Sequence, residues 1–366
     1  MIHFFKQYKI VFLFAIFSLI GVFATFFTTR PLTIKATLQP PTSQVTLIAV
    51  GDIMPSRNVA KKIAEYKNLD YPFLKTSQYL QSADITFANL ESPVTPGKPV
   101  ADNTMSFRTN PDVVPAIARA GIDIVSLANN HTPNYGAKGL LDTFKYLKES
   151  GIAYAGAGKN AEEANAPTFI SKNGITFAFL AYNDSDVVPA SYEAGTTTPG
   201  TAFMRIDKMT AAVKAVRSQT DIVIVSMHSG IEYTPTPDTS QKNFAHAAID
   251  AGANMVIGHH PHVVQSMEKY NGKYIFYSLG NFVFDQMWSA ETRRGMTLKI
   301  VFTKFDTKTG VTSITPTPII IDDFSQPRLA TEEEAKPILK RLQYSFVKIQ
   351  SSFPTAFRQL DLSTEK

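Results

Sequence analysis

Short apolar runs without polar alternation recur along this chain, and they constrain its fold more than any other feature. Segments with helical periodicity separate several of these runs. Strands buried on both faces have this pattern, and their alternation with helices is typical of layered α/β folds. We therefore predict an α/β sandwich with strands at residues 45–50, 84–88, 122–127, 175–181, 222–227, 255–257, 274–278, 296–302 and 311–321.

The predicted helices have recognisable ends. One covers residues 111–120, with Pro111 in its first turn and Gly121 just past its end. Similar patterns predict helices at residues 137–149, 207–218 and 239–251. A last, largely helical segment is expected at residues 331–352, with Pro337 in the first turn of its main helix, because a proline further inside would interrupt the hydrogen bonds.

The N-terminal segment is apolar enough to cross a membrane. Residues 10–29 carry no charge, and as a helix they would span roughly 30 Å, the thickness of a bilayer core. Lys6 and Lys9 precede them, which places the N-terminus in the cytoplasm and the rest of the chain outside. A cleaved signal peptide is the alternative, but the run exceeds the usual h-region of about 7–15 residues. We expect an uncleaved, single-pass anchor in the cell membrane.

These features divide the chain into five segments. They are a cytoplasmic tail at residues 1–9, the anchor at 10–29, a Thr- and Pro-rich linker at 30–44, a globular domain at 45–325 and a helical extension at 326–366.

Charge and cysteine content exclude several kinds of function. The formal net charge is +5, but Lys6, Lys9 and Arg30 supply three of these charges, so the outer part does not look like a nucleic-acid-binding protein. The chain has no cysteine, which excludes disulfides, thiolate metal ligands and a cysteine nucleophile.

Polar groups follow the predicted strands at the points where they end. Ligand sites of α/β sheets lie outside the carboxyl ends of the strands, so this placement predicts a site there. Each motif alone has a structural alternative: a turn or cap at Asp52, a surface carboxylate at Glu91, an Asn-rich turn before His131, a structural His228 and an incidental His-rich loop. The groups concerned are Asp52, Glu91, Asn129, Asn130, His131, His228, His259, His260 and His262.

The set of donors is more informative than any member. Carboxylate, amide and imidazole groups without a thiolate suit Zn, Mn, Fe or Co, and they suit two ions about 3.5–4 Å apart. We therefore expect two divalent metal ions, with Mn, Zn and Fe all open as their identity.

Six motifs in one order resemble the CapA family of poly-γ-glutamate capsule synthesis proteins, which belongs with the calcineurin-like metallophosphatases. The resemblance covers roughly residues 45–286. The motifs are Gly-Asp-Ile-Met at 51–54, Asn-Leu-Glu at 89–91, Leu-Ala-Asn-Asn-His at 127–131, His-x-Gly-x-Glu-Tyr at 228–233, Gly-His-His-Pro-His-Val-Val-Gln at 258–265 and Tyr-Ser-Leu-Gly-Asn-Phe-Val-Phe-Asp at 277–285.

The resemblance implies a four-layer α/β/β/α sandwich and a role for each site residue. Asp52 would bind the first metal, Glu91 would bridge the two, and Asn130 would bind the second. His228, His260 and His262 would complete the shells, with His259 as an alternative to His260, and His131 would protonate the leaving group. We expect the substrate contacts to come from His259, Asn129, Glu232 and Asn281.

Two positions depart from the metallophosphatase pattern. The residue two after the first Asp is usually His but here is Met54, as is normal for the capsule family, and this leaves the first metal one ligand short. The family often has Asp where this chain has Asn134. Both differences weaken the expectation of high phosphatase activity.

The resemblance implies work on an anionic surface polymer such as poly-γ-glutamate, together with other membrane subunits of a polymer synthase. Arg57, Lys61 and Lys62 could attract such a polyanion, or they could form an ordinary solvated helix face. Three functions compete: a hydrolase acting on a phosphoester or surface polymer, a non-catalytic polymer-binding or assembly factor, and a general outer-face phosphodiesterase or nucleotidase.

Overall fold

The computed structural model describes residues 41–101 and 104–342. The expected anchor at residues 10–29, the linker up to residue 40 and the end of the C-terminal extension from residue 343 lie outside this part. Among the described residues, no helix combines the length and the apolar character needed to cross a membrane.

Two sheets form the centre of the fold, and all the strands predicted from the sequence are present in them. The strands of the described residues are β1 (Ser43–Ile53), β2 (Ile85–Leu90), β3 (Ile124–Ser126), β4 (Ala153–Ala155), β5 (Ala157–Gly158), β6 (Thr168–Lys172), β7 (Ile175–Asn183), β8 (Gly200–Thr201), β9 (Ile222–His228), β10 (Met255–His259), β11 (Met267–Tyr270), β12 (Lys273–Phe276), β13 (Asn281–Val283), β14 (Arg294–Phe305), β15 (Lys308–Asp322) and β16 (Gln326–Leu329).

The first sheet has the order β16-β15-β14-β1-β2-β3-β4, and β13 also pairs with β1. Its β1 to β4 pairs are parallel, whereas β14, β15 and β16 add antiparallel strands on the other side. The second sheet has the order β11-β12-β10-β9-β7-β6, with β12, β10, β9 and β7 parallel. Strands β5 and β8 form a separate two-stranded sheet.

Helices cover the outer faces of both sheets. The helices of the described residues are α1 (Arg57–Glu65), α2 (Ser77–Leu80), α3 (Val114–Arg119), α4 (Gly136–Glu149), α5 (Ala161–Asn165), α6 (Ile206–Arg217), α7 (Thr239–Ala251) and α8 (Glu332–Leu342), and short 3-10 turns lie at Tyr71–Phe73, Pro111–Val113 and Ala190–Tyr192.

Three apolar clusters give the order of the layers. Side chains such as Leu47 on β1 and Ile224 on β9 pack between the two sheets. Val59 of α1 and Phe144 of α4 pack against the outer face of the first sheet, and Phe244 of α7 packs against that of the second. The predicted four-layer α/β/β/α sandwich is therefore confirmed, and it brings the carboxyl ends of both parallel strand sets to one edge.

One detail of the C-terminal prediction is wrong, and one strand was not predicted. That strand, β16, follows the expected end of the globular domain at residue 325 and pairs with β15. Its Pro327 fits an edge strand, where a missing N–H is tolerated. Pro337 lies inside α8 rather than in its first turn. The helix begins earlier because Thr331 and Glu334 form a reciprocal cap, with Glu334 N–H donating to Thr331 Oγ1 and Thr331 N–H donating to Glu334 Oε2.

The chain crosses from the second sheet to the first at residues 277–281, and strands of both sheets approach this segment at glycines. A Cβ added to Gly51 of β1 would lie 1.9 Å from Gly280 O, and one added to Gly258 of β10 would lie 2.0 Å from Tyr277 O. Asp52 N–H donates to Gly280 O, and Leu279 N–H donates to Gly258 O. The crossing segment thus fixes the spacing of the two sheets next to Asp52 and His259.

We predict that Gly51→Ala lowers the free energy of unfolding by about 1–3 kcal/mol, because its methyl group would overlap a backbone oxygen that has no room to move aside. Urea denaturation of the purified protein measures this change. Gly97→Ala is the comparison, since its Cβ would lie 3.1 Å from the Arg108 side chain and not against backbone, and its effect should be smaller. Equal stability of the two variants would contradict the packing described.

Candidate metal centre

Strand register brings the polar groups together at the shared edge. Asp52, near the end of β1, pairs with Asn89 of β2 and with Asn281 of β13. Across the second sheet, His228 of β9 pairs with His259 of β10. Each of these side chains is buried, so the sandwich holds a polar cluster where its apolar core ends.

Asp52 is the most highly contacted carboxylate of the cluster. Its Oδ1 accepts a hydrogen bond from Asn89 Nδ2 at 2.9 Å and lies 3.2 Å from His259 Nδ1. Its Oδ2 lies 3.6 Å from His262 Nδ1 and accepts from the His260 N–H at 3.4 Å. Burial acts to raise the pKa of Asp52, but the imidazoles of His259 and His262 outweigh that effect and hold the pKa well below its usual range. Asp52 is therefore an anion in the folded protein.

Glu91 lies directly beyond β2 and is fully buried. Its Oε2 accepts a hydrogen bond from Asn89 Nδ2, whereas its Oε1 has no hydrogen-bond partner. That unpartnered oxygen lies 3.7 Å from His262 Nε2 and 3.9 Å from His131 Nε2. Burial raises the pKa of Glu91 well above its usual range, and the negative charges of Asp52 and Glu232 raise it further. A cation at this oxygen would remove the penalty.

Hydrogen bonds fix the orientation of His262. Asn281 Nδ2 donates to the backbone oxygen of Thr292, which can only accept, so the amide oxygen of Asn281 faces the other way. That oxygen lies 2.9 Å from His262 Nδ1, which must therefore carry the hydrogen. Its Nε2 then faces Glu91 Oε1 at 3.7 Å and Glu232 Oε1 at 3.9 Å. His262 thus presents a metal-binding nitrogen to two carboxylates.

His228 and Asn130 form a second part of the cluster. His228 Nε2 lies 3.0 Å from Asn130 Oδ1, and its Nδ1 lies 3.3 Å from Asn89 Nδ2. The ring of His260 lies 4.7 Å from that of His228. Burial lowers the pKa of His228 well below its usual range and lowers that of His260 to about 3. Both rings are therefore neutral at pH 7, the form in which an imidazole binds metals.

His131 lies at the side of the cluster with its ring stacked on Phe107, the centroids 3.8 Å apart. The amide oxygen of Asn134 accepts from the Phe107 N–H and lies 3.0 Å from His131 Nδ1, so Nδ1 carries the hydrogen. His131 Nε2 is directed toward the Glu91 side of the cluster. Burial lowers the pKa of His131 to about 4. The ring is held in one orientation with a single nitrogen available for chemistry.

The donor atoms fit divalent cations. Among the described residues, two groups have ligand atoms within 4.8 Å of one another: Asp52, Glu91 and His228 form one, and Glu232, His260 and His262 form the other. Glu91 Oε1 and His260 Nδ1 are buried without any hydrogen-bond partner. Buried polar atoms of this kind are destabilising unless a ligand satisfies them, and mixed carboxylate and imidazole donors are typical of transition-metal sites.

The structure brings the predicted metal ligands and His131 together, but it places two predicted substrate contacts differently. Asn129 is buried, and its amide bonds Asn89, the Leu90 carbonyl and the loop that carries His131. Asn281 is occupied by His262, Gln286 and Thr292. Both amides therefore position other site groups, and neither has a free polar atom for a substrate.

The other two predicted substrate contacts also lie among the metal-binding groups. His259 is fully buried, both of its ring nitrogens lack a hydrogen-bond partner, and its Nδ1 lies 3.2 Å from Asp52 Oδ1. Glu232 is about one third exposed and faces His262. The prediction left His259 open as an alternative to His260. The donor groups contain His260 and not His259.

Two site residues were missed as such. Asn89 touches Asp52, Glu91 and His228 at once. Phe107 stacks on His131, and the guanidinium of Arg57 lies over the Phe107 ring, 4.6 Å from its centroid. Asn89 stands in the Asn-Leu-Glu motif, so its position at a strand end was a usable signal. The Phe107 contact comes from a loop with no pattern that predicts it.

The basic residues after Asp52 do not form a free cationic patch. Arg57 is largely buried and pairs with Asp285. Lys62 pairs with Glu65 at 3.0 Å and with Asp323 at 2.9 Å. Their charges are mostly neutralised locally, which gives little support to the expectation that this helix attracts a polyanion.

Comparison with known proteins agrees with the family that the sequence motifs resemble. Residues 46–286 match the family model described as "Bacterial capsule synthesis protein PGA_cap". The chain is 38% identical over 254 residues to the capsule biosynthesis protein CapA of Bacillus anthracis, covering 67% of this chain and 61% of that protein, which is less than two thirds of its length. It is 35% identical over 292 residues to the PGA biosynthesis protein CapA of Bacillus subtilis (strain 168), covering 77% of this chain and 76% of that protein.

A solved structure agrees with the fold. The calcineurin-like phosphoesterase YfkN from Bacillus subtilis superimposes with a TM-score of 0.51 over 82% of this chain and 97% of that chain. The two share 12% sequence identity, so the likeness concerns the fold alone.

We predict that Asn281→Ala weakens metal binding by about 10–100-fold although it removes no ligand, because His262 loses the partner that fixes its tautomer and orientation. Isothermal titration with Mn²⁺ measures the affinity. Asn254→Ala is the matched control: Asn254 is also buried and accepts from the Val223 N–H, but it lies at the amino end of β10. Equal affinities of the two variants would show that Asn281 does not orient His262.

Proposed function

This chain belongs to the bacterial capsule synthesis protein family, and from that membership we propose that it acts in making, exporting or attaching an anionic surface polymer of the poly-γ-glutamate type. The relatives named for capsule and PGA biosynthesis support this pathway for the chain. Other membrane subunits of a polymer synthase are its expected partners.

For the chemistry, the proposal is metal-dependent hydrolysis of a phosphoester or of the polymer itself. The observation that carries it is the convergence of Asp52 and Glu91 with His228, His260 and His262 in one buried cluster. Two divalent cations held by these residues would supply a Lewis acid and an activated water. The chain's own contribution is to hold the donors, to keep their surroundings dry and to place His131 beside Glu91.

His131 is suited to serve a leaving group. Its Nδ1–H is held by Asn134, and its ring is fixed against Phe107, so only Nε2 can exchange a proton with a substrate. Burial keeps the ring neutral at pH 7, and an anionic phosphoryl group next to Nε2 would favour the protonated form that can act as an acid. Asn134, which is uncharged, supports that form less than the Asp common in the family would.

We predict that His131→Ala lowers turnover of a phosphodiester test substrate by roughly 10²–10⁴-fold while the metal content stays unchanged. The assay uses the full chain purified in detergent, with metal measured by elemental analysis of the same sample. His246→Ala is the control, since His246 lies on α7 and contacts Glu268, outside the cluster. A rate equal to that of the unmodified protein would remove His131 from the acid role.

A non-catalytic assembly or polymer-binding factor is the second candidate, and one observation favours it. Met54 stands where metallophosphatases usually have a His ligand, and its side chain packs in the apolar cluster on the outer face of the first sheet. In cells lacking the gene, complementation with Asp52→Asn separates the two candidates. Restored surface polymer would favour assembly, and absent polymer with the variant present at normal level would favour hydrolysis.

The chain is further proposed to be anchored in the cell membrane by residues 10–29, with the globular part outside. The uncharged length of this segment and the lysines before it support the proposal.

We predict that the full chain stays in the membrane pellet after alkaline extraction, whereas deletion of residues 1–29 releases it. Intact mass measurement of the membrane-bound protein should include residues 10–29. A mature protein that begins after residue 29 would instead indicate a cleaved signal peptide.

A further inference from the structure

We propose that Glu232 is a metal ligand, on the cation that its carboxylate would share with His260 and His262. The inference rests on the proposed metal centre and adds to it a donor from the second sheet. It assigns Glu232 to the cation that His262 Nε2 and Glu91 Oε1 share, in place of contact with substrate.

Met54 stands where metallophosphatases usually have a His ligand, but it supplies no donor to the cluster. Met54 is fully buried among the apolar side chains on the outer face of the first sheet, and its N–H donates to Val283 O. Its thioether therefore points away from Asp52. Any further protein ligand of the cluster therefore has to come from another element.

Glu232 lies close to His260 and His262. Its Oε1 lies 3.9 Å from His262 Nε2, and its carboxylate forms a group with His260 and His262 whose ligand atoms lie within 4.8 Å of one another. Asn281 Oδ1 faces the Nδ1 side of His262, so Nε2 is the ring nitrogen that faces Glu232. A cation between this nitrogen and the carboxylate would be bound by both.

The backbone of both loops has positive φ angles at this position. Tyr233, directly after Glu232, has φ +62°, and His260 and His262 have φ +98° and +57°. Positive φ in bulky residues is strained, and it persists where the surrounding structure enforces it at functional sites. The two loops are joined by a hydrogen bond from the Tyr233 N–H to Pro261 O at 2.8 Å. The residue after Glu232 is thus bonded to the backbone between His260 and His262.

A second carboxylate lies at the same nitrogen. Glu91 Oε1 lies 3.7 Å from His262 Nε2, and Glu232 Oε1 lies 3.9 Å from it. His260 is only 3% exposed, and its Nδ1 is buried with no hydrogen-bond partner. Carboxylates beside imidazoles suit a hard or borderline cation, and Mn²⁺ is the probe we choose.

The test counts bound Mn²⁺ on the full chain in detergent, from the loss of the electron paramagnetic resonance signal of free Mn²⁺ during titration. Glu232→Gln keeps the size of the side chain and removes its charge. We expect it to weaken one of the bound ions by at least about tenfold while the other is retained. Glu232→Asp keeps the carboxylate on a shorter stem. Its affinity for that ion should lie between those of the unmodified protein and Glu232→Gln.

Glu149→Gln is the matched control, because Glu149 is an exposed glutamate at the far end of α4. It should bind Mn²⁺ like the unmodified protein. Thermal unfolding without metal should be alike for all variants, which excludes a folding defect as the cause.

Binding by Glu232→Gln with unmodified stoichiometry and affinity would overturn the assignment, and a raised KM in that variant would return Glu232 to substrate contact. Hydrolysis assays on the same samples keep the two proposals apart. If the unmodified protein hydrolyses no test substrate but Glu232→Gln loses one Mn²⁺, Glu232 is a metal ligand and the hydrolase proposal fails. If the unmodified protein is active and Glu232→Gln binds Mn²⁺ normally, the hydrolase proposal stands and Glu232 is not a ligand.

Discussion

The crossing of the chain from the second sheet to the first at residues 277–281 is the constraint on which the site depends. β1 and β10 belong to different sheets, yet both contact this segment through backbone groups that leave no room for a side chain at Gly51 or Gly258. Because Asp52 and His259 follow those glycines, the same contacts set the distance between them. The segment then delivers Asn281, which orients His262. One short stretch thus sets both the spacing of the sheets and the direction of a ligand.

The electrostatics of the cluster depend on this spacing. Carboxylates that are removed from water and placed side by side are unstable unless cations or hydrogen-bond donors compensate them. Asp52 has such donors, whereas Glu91 has an unpartnered oxygen and a strongly raised pKa. The raised pKa means that Glu91 takes up a proton when no cation is present, and a cation at its unpartnered oxygen would replace that proton. The neutral imidazoles around it are ready to share that cation, since no proton has to be displaced from them at neutral pH.

The sequence predicted the layers and most of the donors because both follow from local patterns. Apolar runs mark buried strands. A polar group directly after such a run, as at Glu91 or His228, therefore lies at the edge of the sheet where the strands end. The functions of Asn129 and Asn281 could not be predicted in this way. Each looks like a free amide at a strand end, and only the three-dimensional partners, such as the Leu90 carbonyl or Thr292, show that it is used up in holding other groups. β16 was missed for a similar reason, since its pairing with β15 decides its conformation.

The course of β1 explains why residue 54 does not reach the cluster. Residues two apart on a regular strand share a face, so Asp52 and Met54 would both reach the site if β1 continued straight. The pairing of β1 shifts register between Ala49 and Asp52 on one side and between Asp52 and Ile53 on the other. The irregularity directs Asp52 to the cluster and Met54 to the outer core. A donor at position 54 would have to leave that core, whereas Glu232 needs only the loop after β9. Metal binding would then depend on both sheets at once, and loosening the crossing segment would weaken the ion shared by Glu91, Glu232 and His262.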